Sequence, residues 1–368
     1  MRIESVELIR VRMPLVTPFR TSLGIDTERE VLLVRVQGPD SVGWGECVAS
    51  DEPRYSSEHT QGAEYALRHF LVPALRSDDE VTASAVQSRL SVFKGHRMAK
   101  AALEMAVMDA ELRSQGVRFA DALGAVHDHV PSGVSVGIMS SIPMLLDTVG
   151  GYLSEGYVRI KLKIEPGWDV EPVRAVRQAF GDELLLQVDA NTAYSLADAP
   201  HLRRLDDFDL LLIEQPLDEE DIVGHADLAR AVRTPICLDE SIVSASTAAA
   251  AIRLGACSVV NIKAGRVGGY LEARRIHDVC LAHGVAVWCG GMLETGLGRA
   301  ANVALAALPG FTLPGDVSAS ARFFATDLTE PFHLRNGGLD VPRDPGLGVE
   351  PIPEILEDIT VPGSRISC

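Results

Sequence analysis

Short apolar runs recur at near-equal intervals through the middle of the chain, and each closes on a charged residue. Residues 157–163, 184–189, 210–214, 235–239 and 258–263 end in Lys163, Asp189, Glu214, Asp239 and Lys263, in steps of 24 to 26 residues. Helix-compatible stretches at 169–180, 197–205, 224–231, 245–254 and 270–283 fall between or after them. A strand-plus-helix unit of a parallel barrel takes about this length, since eight units fill roughly 250 residues. The pattern predicts successive barrel strands, each with a charged side chain at its C-terminal tip. That rim is where such barrels carry their active sites. A strand over 134–139 and a helix over 142–154, stopped by Gly156, precede the series. A strand over 285–288 running into Cys289-Gly290-Gly291-Met292, and an abbreviated one over 312–316, follow it.

Ahead of the repeat the period differs. Residues 6–13, 30–36 and 42–48 alternate or are β-branched, with Gly38-Pro39-Asp40 as a turn, so antiparallel β structure is expected. Residues 56–114 read as helical; 101–112 is rich in strong helix formers and Gly116 follows as a stop. The fold class is α/β: a modified (β/α) TIM-type barrel over 126–322 with an α+β capping domain over 1–125. The Pro- and Gly-rich tail, 323–368, is expected to return to that domain.

Composition narrows the function classes. With 51 acidic against 34 basic residues and a net charge of −17, the chain lacks the Lys/Arg clusters that neutralise phosphates, which excludes a nucleic-acid partner. No run approaches the roughly 20 apolar residues of a membrane span. Met1-Arg2-Ile3-Glu4 does not open a secretory signal, so a cytoplasmic protein without a membrane partner is expected. The six cysteines show no CxxC spacing, which favours buried reduced thiols over a soft-metal site.

Asp189, Glu214 and Asp239 at neighbouring strand tips would stand roughly 5 Å apart. Carboxylates that close repel unless a cation neutralises them, and an all-oxygen donor set suits Mg²⁺ or Mn²⁺. Each acid alone is equally an ordinary helix N-cap; three at matched spacing, beside Asn191 and Glu240, favour the metal. Lys161 and Lys163, two apart on a strand, point to one face. Barrel interiors normally hold Val, Ile or Leu, so inward lysines imply function. Mutual repulsion, together with a nearby dication, is expected to lower a lysine pKa there. Lys263, opposite Lys163 by strand count, makes a second acid/base. The set suits proton abstraction beside a carboxylate, where one charge pair at about 4 Å is worth roughly 4 kcal/mol at an effective dielectric of 20.

Lys161-Leu162-Lys163, Asp189-Ala190-Asn191, Ile213-Glu214-Gln215-Pro216, Leu238-Asp239-Glu240-Ser241 and Asn261-Ile262-Lys263 resemble the enolase superfamily, muconate-lactonizing subgroup. Pro18-Phe19-Arg20-Thr21-Ser22, Gly95-His96-Arg97-Met98, Gly133-Val134-Ser135-Val136-Gly137, Arg266-Val267-Gly268-Gly269 and Trp288 through Glu294 are similar to the N-succinylamino acid racemase/o-succinylbenzoate synthase family. The resemblance covers essentially the whole chain. It implies metal ligation by Asp189, Glu214 and Asp239 (Mg²⁺ or Mn²⁺, with Co²⁺ a further candidate). It also implies acid/base roles for Lys163 and Lys263, and a contact from Lys161 to the carboxylate of a small-molecule substrate. Ser135, Asn191, Gly291, Met292, Leu293, Phe19 and Phe323 are candidates for the pocket wall, with core packing the alternative for the apolar ones. Arg266 is a candidate to tune Lys263, and Glu240 to support the metal ligands.

The activities implied are racemisation of N-acylamino acids and dehydration to o-succinylbenzoate, a step of menaquinone synthesis, in a homo-oligomer such as an octamer. Muconate cycloisomerisation, dipeptide epimerisation and a catalytically silent binding barrel are the alternatives. Against them, Gly290-Gly291-Met292 carries no His where the mandelate-racemase branch does. Gly315-Asp316-Val317-Ser318 lacks the second Asp that holds a substrate amine in dipeptide epimerases.

Overall fold

The computed structural model describes residues 1–76 and 80–368. Strands β1 (Ser5–Thr21) and β2 (Gly24–Gln37) form a long antiparallel hairpin, and β3 (Val42–Cys47) pairs with β2. The hairpin runs well past the expected strand ends, and its register slips between Pro14 and Phe19. Residues Ile366–Ser367 add to the outer edge of β1. The helix Arg97–Gln115 lies across β3, where a Cβ at Gly43 or Gly45 would collide with the carbonyl oxygens of Ala106 or Ala102. Glycine there lets a helix approach the sheet backbone directly.

After β4 (His129–Pro131), the chain builds a parallel sheet from β5 (Gly133–Val136), β6 (Arg159–Lys163), β7 (Leu185–Asp189), β8 (Ile213–Glu214), β9 (Ile236–Leu238), β10 (Val259–Ile262) and β11 (Ala286–Cys289). Each strand pairs with its sequence neighbour in order. The stretch expected to be an abbreviated last strand forms no regular strand, yet it seals the ring. Phe311 bridges to Val287, Gly315 bridges to Ser132, the Gly133 N–H donates to the Gly315 carbonyl at 2.7 Å, and the Asp316 N–H donates to that of Cys289 at 2.8 Å.

Two expectations are corrected and one element is added. The opening strand stops at Val136 rather than 139. The helix expected at 197–205 is a chain of short turns, a 3₁₀ turn, the helix Ala199–Leu202, and a second 3₁₀ stretch, Arg203–Phe208. A helix over Gly296–Ala306, capped by Thr295, was not foreseen. All its residues are buried, so no polar face marked its period.

The capping domain is fastened to the barrel by polar groups. Glu46 on β3 accepts from Thr295 N–H (3.0 Å), the Thr295 hydroxyl (2.7 Å) and Gly298 N–H (2.9 Å), at the start of the Gly296–Ala306 helix. Glu104 accepts from Leu271 N–H (3.1 Å) at the start of Tyr270–Ala282. At the hairpin tip, Ser22 donates to the Ala190 carbonyl (3.0 Å) and Arg20 pairs with Glu165 (2.8 Å). All six cysteines are unpaired. No described helix is long and apolar enough to cross a membrane.

Candidate active site

Parallel register sets Lys163, Asp189 and Glu214 side by side, Lys163 opposite Asp189 and Asp189 opposite Glu214. Asp239 follows β9 directly, and Lys263 follows β10. All five side chains are buried. Lys163 Nζ donates to Asp189 Oδ2 and Asn191 Oδ1, both at 2.6 Å. Lys161 Nζ lies 3.1 Å from Asp189, 3.0 Å from Glu214 and 2.7 Å from Asp316, against the face of Trp288. Lys263 Nζ donates to Asp239 Oδ2 (2.7 Å) and to the hydroxyl of Tyr55 (3.1 Å), a capping-domain residue.

The supporting groups close round these. Asn261 donates to Glu214 Oε1 (2.6 Å), and Asn191 to Glu240 Oε1 (2.9 Å). Arg266 forms a tight ion pair with Asp239 and reaches the Tyr55 hydroxyl at 3.3 Å. It therefore meets Lys263 through shared partners. Ser135 donates to Asp316 Oδ2 (3.0 Å), whose other oxygen takes Arg159 at 2.8 Å. Four non-glycine residues at this rim, Asn191, Thr192, Gln215 and Leu293, hold φ between 35° and 66°. Such left-handed backbone persists only where its surroundings enforce it.

Without a metal ion, the lysine pKa values that a nearby dication is expected to lower lie above the usual range at Lys161 and Lys263. Burial, the largest single influence, pulls both down. Asp316, Glu214 and Asp189 together outweigh it at Lys161, and Tyr55, Glu240, Glu214 and Asp189 do so at Lys263, so both ammoniums are stabilised. Burial and then Asp189 push Glu214 up, while Lys163 and Lys161 hold Asp189 down against its own burial. Glu240 is pushed up to about 7 by burial and then by Asp189, and its Oε2 has no hydrogen-bond partner among the described residues.

Among the described residues no cluster of three His, Cys, Asp or Glu side chains stands ready-made for a metal ion, and the Lys161 ammonium lies between Asp189 and Glu214. The donor set nonetheless fits a hard divalent cation. It is all carboxylate and fully buried, and Asp189 and Glu214 already converge on one positive charge, Lys161.

A cavity of about 310 Å³ opens between barrel and capping domain. Lys163, Asn191, Lys263, Gly291, Met292 and Leu293 line its barrel side, and Phe19 and Tyr55 its other wall. A chamber of about 50 Å³ adjoins it, also reached by Lys163 and Lys263 and walled by Ser135, Lys161 and Phe323. Phe19 and Phe323 meet edge to face, 6.2 Å between centroids. Both lysines thus face one enclosed space. Sequence reasoning missed Tyr55 and Asn261, and did not credit Asp316 with a place in the network.

Two family models match: the mandelate racemase/muconate lactonizing enzyme N-terminal domain over residues 3–124, and the enolase C-terminal domain-like model over 145–355. The chain is 69% identical over 360 residues to an N-succinylamino acid racemase of Amycolatopsis sp, covering 98% of each. It is 47% identical over 350 residues to the o-succinylbenzoate synthase of Geobacillus kaustophilus, covering 95% of this chain and 93% of that one. The crystal structure of an enolase-superfamily protein from Listeria innocua superposes with a TM-score of 0.95 at 38% identity, over 100% of this chain and 99% of that one. Enzymes of this superfamily depend on a divalent metal. Matched along nearly its whole length in both sequence and fold, the chain belongs to the enolase superfamily.

Proposed function

We propose that this protein abstracts the α-proton of a substrate carboxylate, and that its activity is racemisation of N-acylamino acids such as N-succinylamino acids. The observation that carries this reading is the placing of Lys163 and Lys263 on one cavity beside Asp189, Glu214 and Asp239. Amines on both sides of one carbon allow removal from one face and return on the other. Lys263 as an ammonium would deliver a proton; working in the reverse direction, it must first give that charge up. Lys161 would hold the substrate carboxylate. Asp189, Glu214 and Asp239 would hold Mg²⁺ or Mn²⁺, which when bound stabilises negative charge developing on the carboxylate oxygens. Ser135, Asn191, Gly291, Met292, Leu293, Phe19 and Phe323 would shape the pocket.

The second reading is dehydration to o-succinylbenzoate, favoured by the relative of that name at 47% identity. There Lys163 would act twice on one face while Lys263 remains a cation beside the enolate. One site can serve both chemistries.

Incubation in D₂O with N-succinyl- or N-acetylamino acids and Mg²⁺, Mn²⁺ or Co²⁺ should exchange the α-hydrogen for deuterium. Absence of exchange with every metal would eliminate the racemase reading. Lys163→Ala and Lys263→Ala should each abolish racemisation; an active single variant would refute the two-base scheme.

A further inference from the structure

The small chamber beside the two lysines contains one polar group that the reading above leaves idle. Ser318, two residues beyond Asp316, lines that chamber and is only 2% exposed, yet its hydroxyl has no hydrogen-bond partner among the described residues. Its backbone is firmly held, since the Ser318 carbonyl accepts a short hydrogen bond from Arg299. The main chain is thus held in place and the hydroxyl is unsatisfied. A buried hydroxyl without a partner is unfavourable unless something arrives to meet it.

The charge around it says what can arrive. Asp316 is the chamber's one carboxylate wall, and it is already saturated: Arg159 and Lys161 neutralise it, and Ser135 donates a third hydrogen bond. Lys163 and Lys263 add further cationic groups to the same chamber. No anionic oxygen there is left for a substrate ammonium, which would instead meet like charge. A neutral oxygen acceptor meets a hydroxyl free to donate.

The geometry points to Ser318 as a specificity-determining residue that donates its hydrogen bond to the acyl carbonyl oxygen of the substrate. Within this chamber the hydroxyl favours an acylated nitrogen over a free amine. This rests on the α-proton chemistry proposed above but is separable from it. The two reactions share the feature, because the dehydration substrate presents a succinyl ketone oxygen in place of the amide oxygen.

The test compares an N-acetylamino acid with its N-thioacetyl counterpart, whose sulfur is the poorer acceptor, in wild type and Ser318→Ala. Wild type should show the lower KM for the oxygen compound. Ser318→Ala should raise that KM about 3- to 10-fold, with kcat changed far less, and bring the oxygen-to-sulfur KM ratio toward one. A purely structural hydroxyl would lower the melting temperature when removed. An orphaned one should not, so substrate-free Ser318→Ala should melt no lower than wild type. Ser318→Thr, which keeps the hydroxyl, should retain the wild-type ratio. An unchanged ratio in Ser318→Ala, or a KM that moves equally for both compounds, overturns the assignment while leaving α-proton exchange intact. Loss of exchange in wild type would instead strike the underlying reading.

Discussion

Each charged group at the rim is held by a neighbour that contributes no chemistry of its own. Asn261 is the clearest case: its amide donates to Glu214 Oε1 at 2.6 Å from within the barrel. Without that donor the carboxylate is free to rotate and loses a fixed partner. Asn261→Leu should therefore weaken Mn²⁺ binding about 10- to 100-fold, read by calorimetric titration, with little change in far-ultraviolet dichroism. Asn261 was legible in principle, because it stands two residues before Lys263 and strand alternation puts both on one side. The same rule picked out Lys161 beside Lys163. Tyr55 was not legible: it reaches Lys263 across 208 positions of chain, from a domain whose local pattern says nothing of the rim. The charge state of the lysines in the metal-free protein was not legible for a related reason. Counting amines on one strand omits the carboxylates that neighbouring strands and Asp316 bring within hydrogen-bonding reach.

Among the elements, the parallel strands were well marked, since burial on both faces and charged tips leave a periodic trace. The Gly296–Ala306 helix left none, because a helix buried all round has no polar stripe. The seal over 311–316 was foreseen in position but not in form, since two bridges and two hydrogen bonds suffice where a full strand was expected. Contact between the Arg97–Gln115 helix and β3 depends on bare backbone at Gly43 and Gly45. Gly45→Ala would drive a methyl group into the Ala102 carbonyl, with backbone rather than a flexible side chain as the obstacle. Such overpacking costs typically about 1–3 kcal/mol. Urea denaturation should show that loss, while Gly151→Ala, at an open helical position, should not.

Over the whole molecule, two buried acids of the capping domain meet the starts of two barrel helices. Burial, the foremost cause in each, pushes Glu46 up to about 7 and Glu104 up to about 8. Glu104 also feels Arg275, which opposes the rise, and Glu272, which adds to it. A folded carboxyl that keeps its proton longer than the unfolded chain does is progressively penalised as pH climbs. Stability should fall from about pH 4.5 to about 8 and then level off. Glu104→Gln removes one such penalty, so its melting temperature relative to wild type should rise between pH 5 and pH 9. A flat difference would show that Glu104 is ionised throughout.

The seam at 311–316 has a further consequence. The residue at its end, Asp316, is also the counter-ion of Lys161 and Arg159, so zipping the cylinder shut and neutralising those cations are a single event. A molecule unlatched along that one edge would keep its helices and most of its sheet, yet leave Arg159 without its carboxylate and Lys161 with two of its three, beside the reaction chamber. In mild denaturant, turnover should accordingly vanish ahead of the helical signal. Coincident loss of both would mean that this edge never opens by itself.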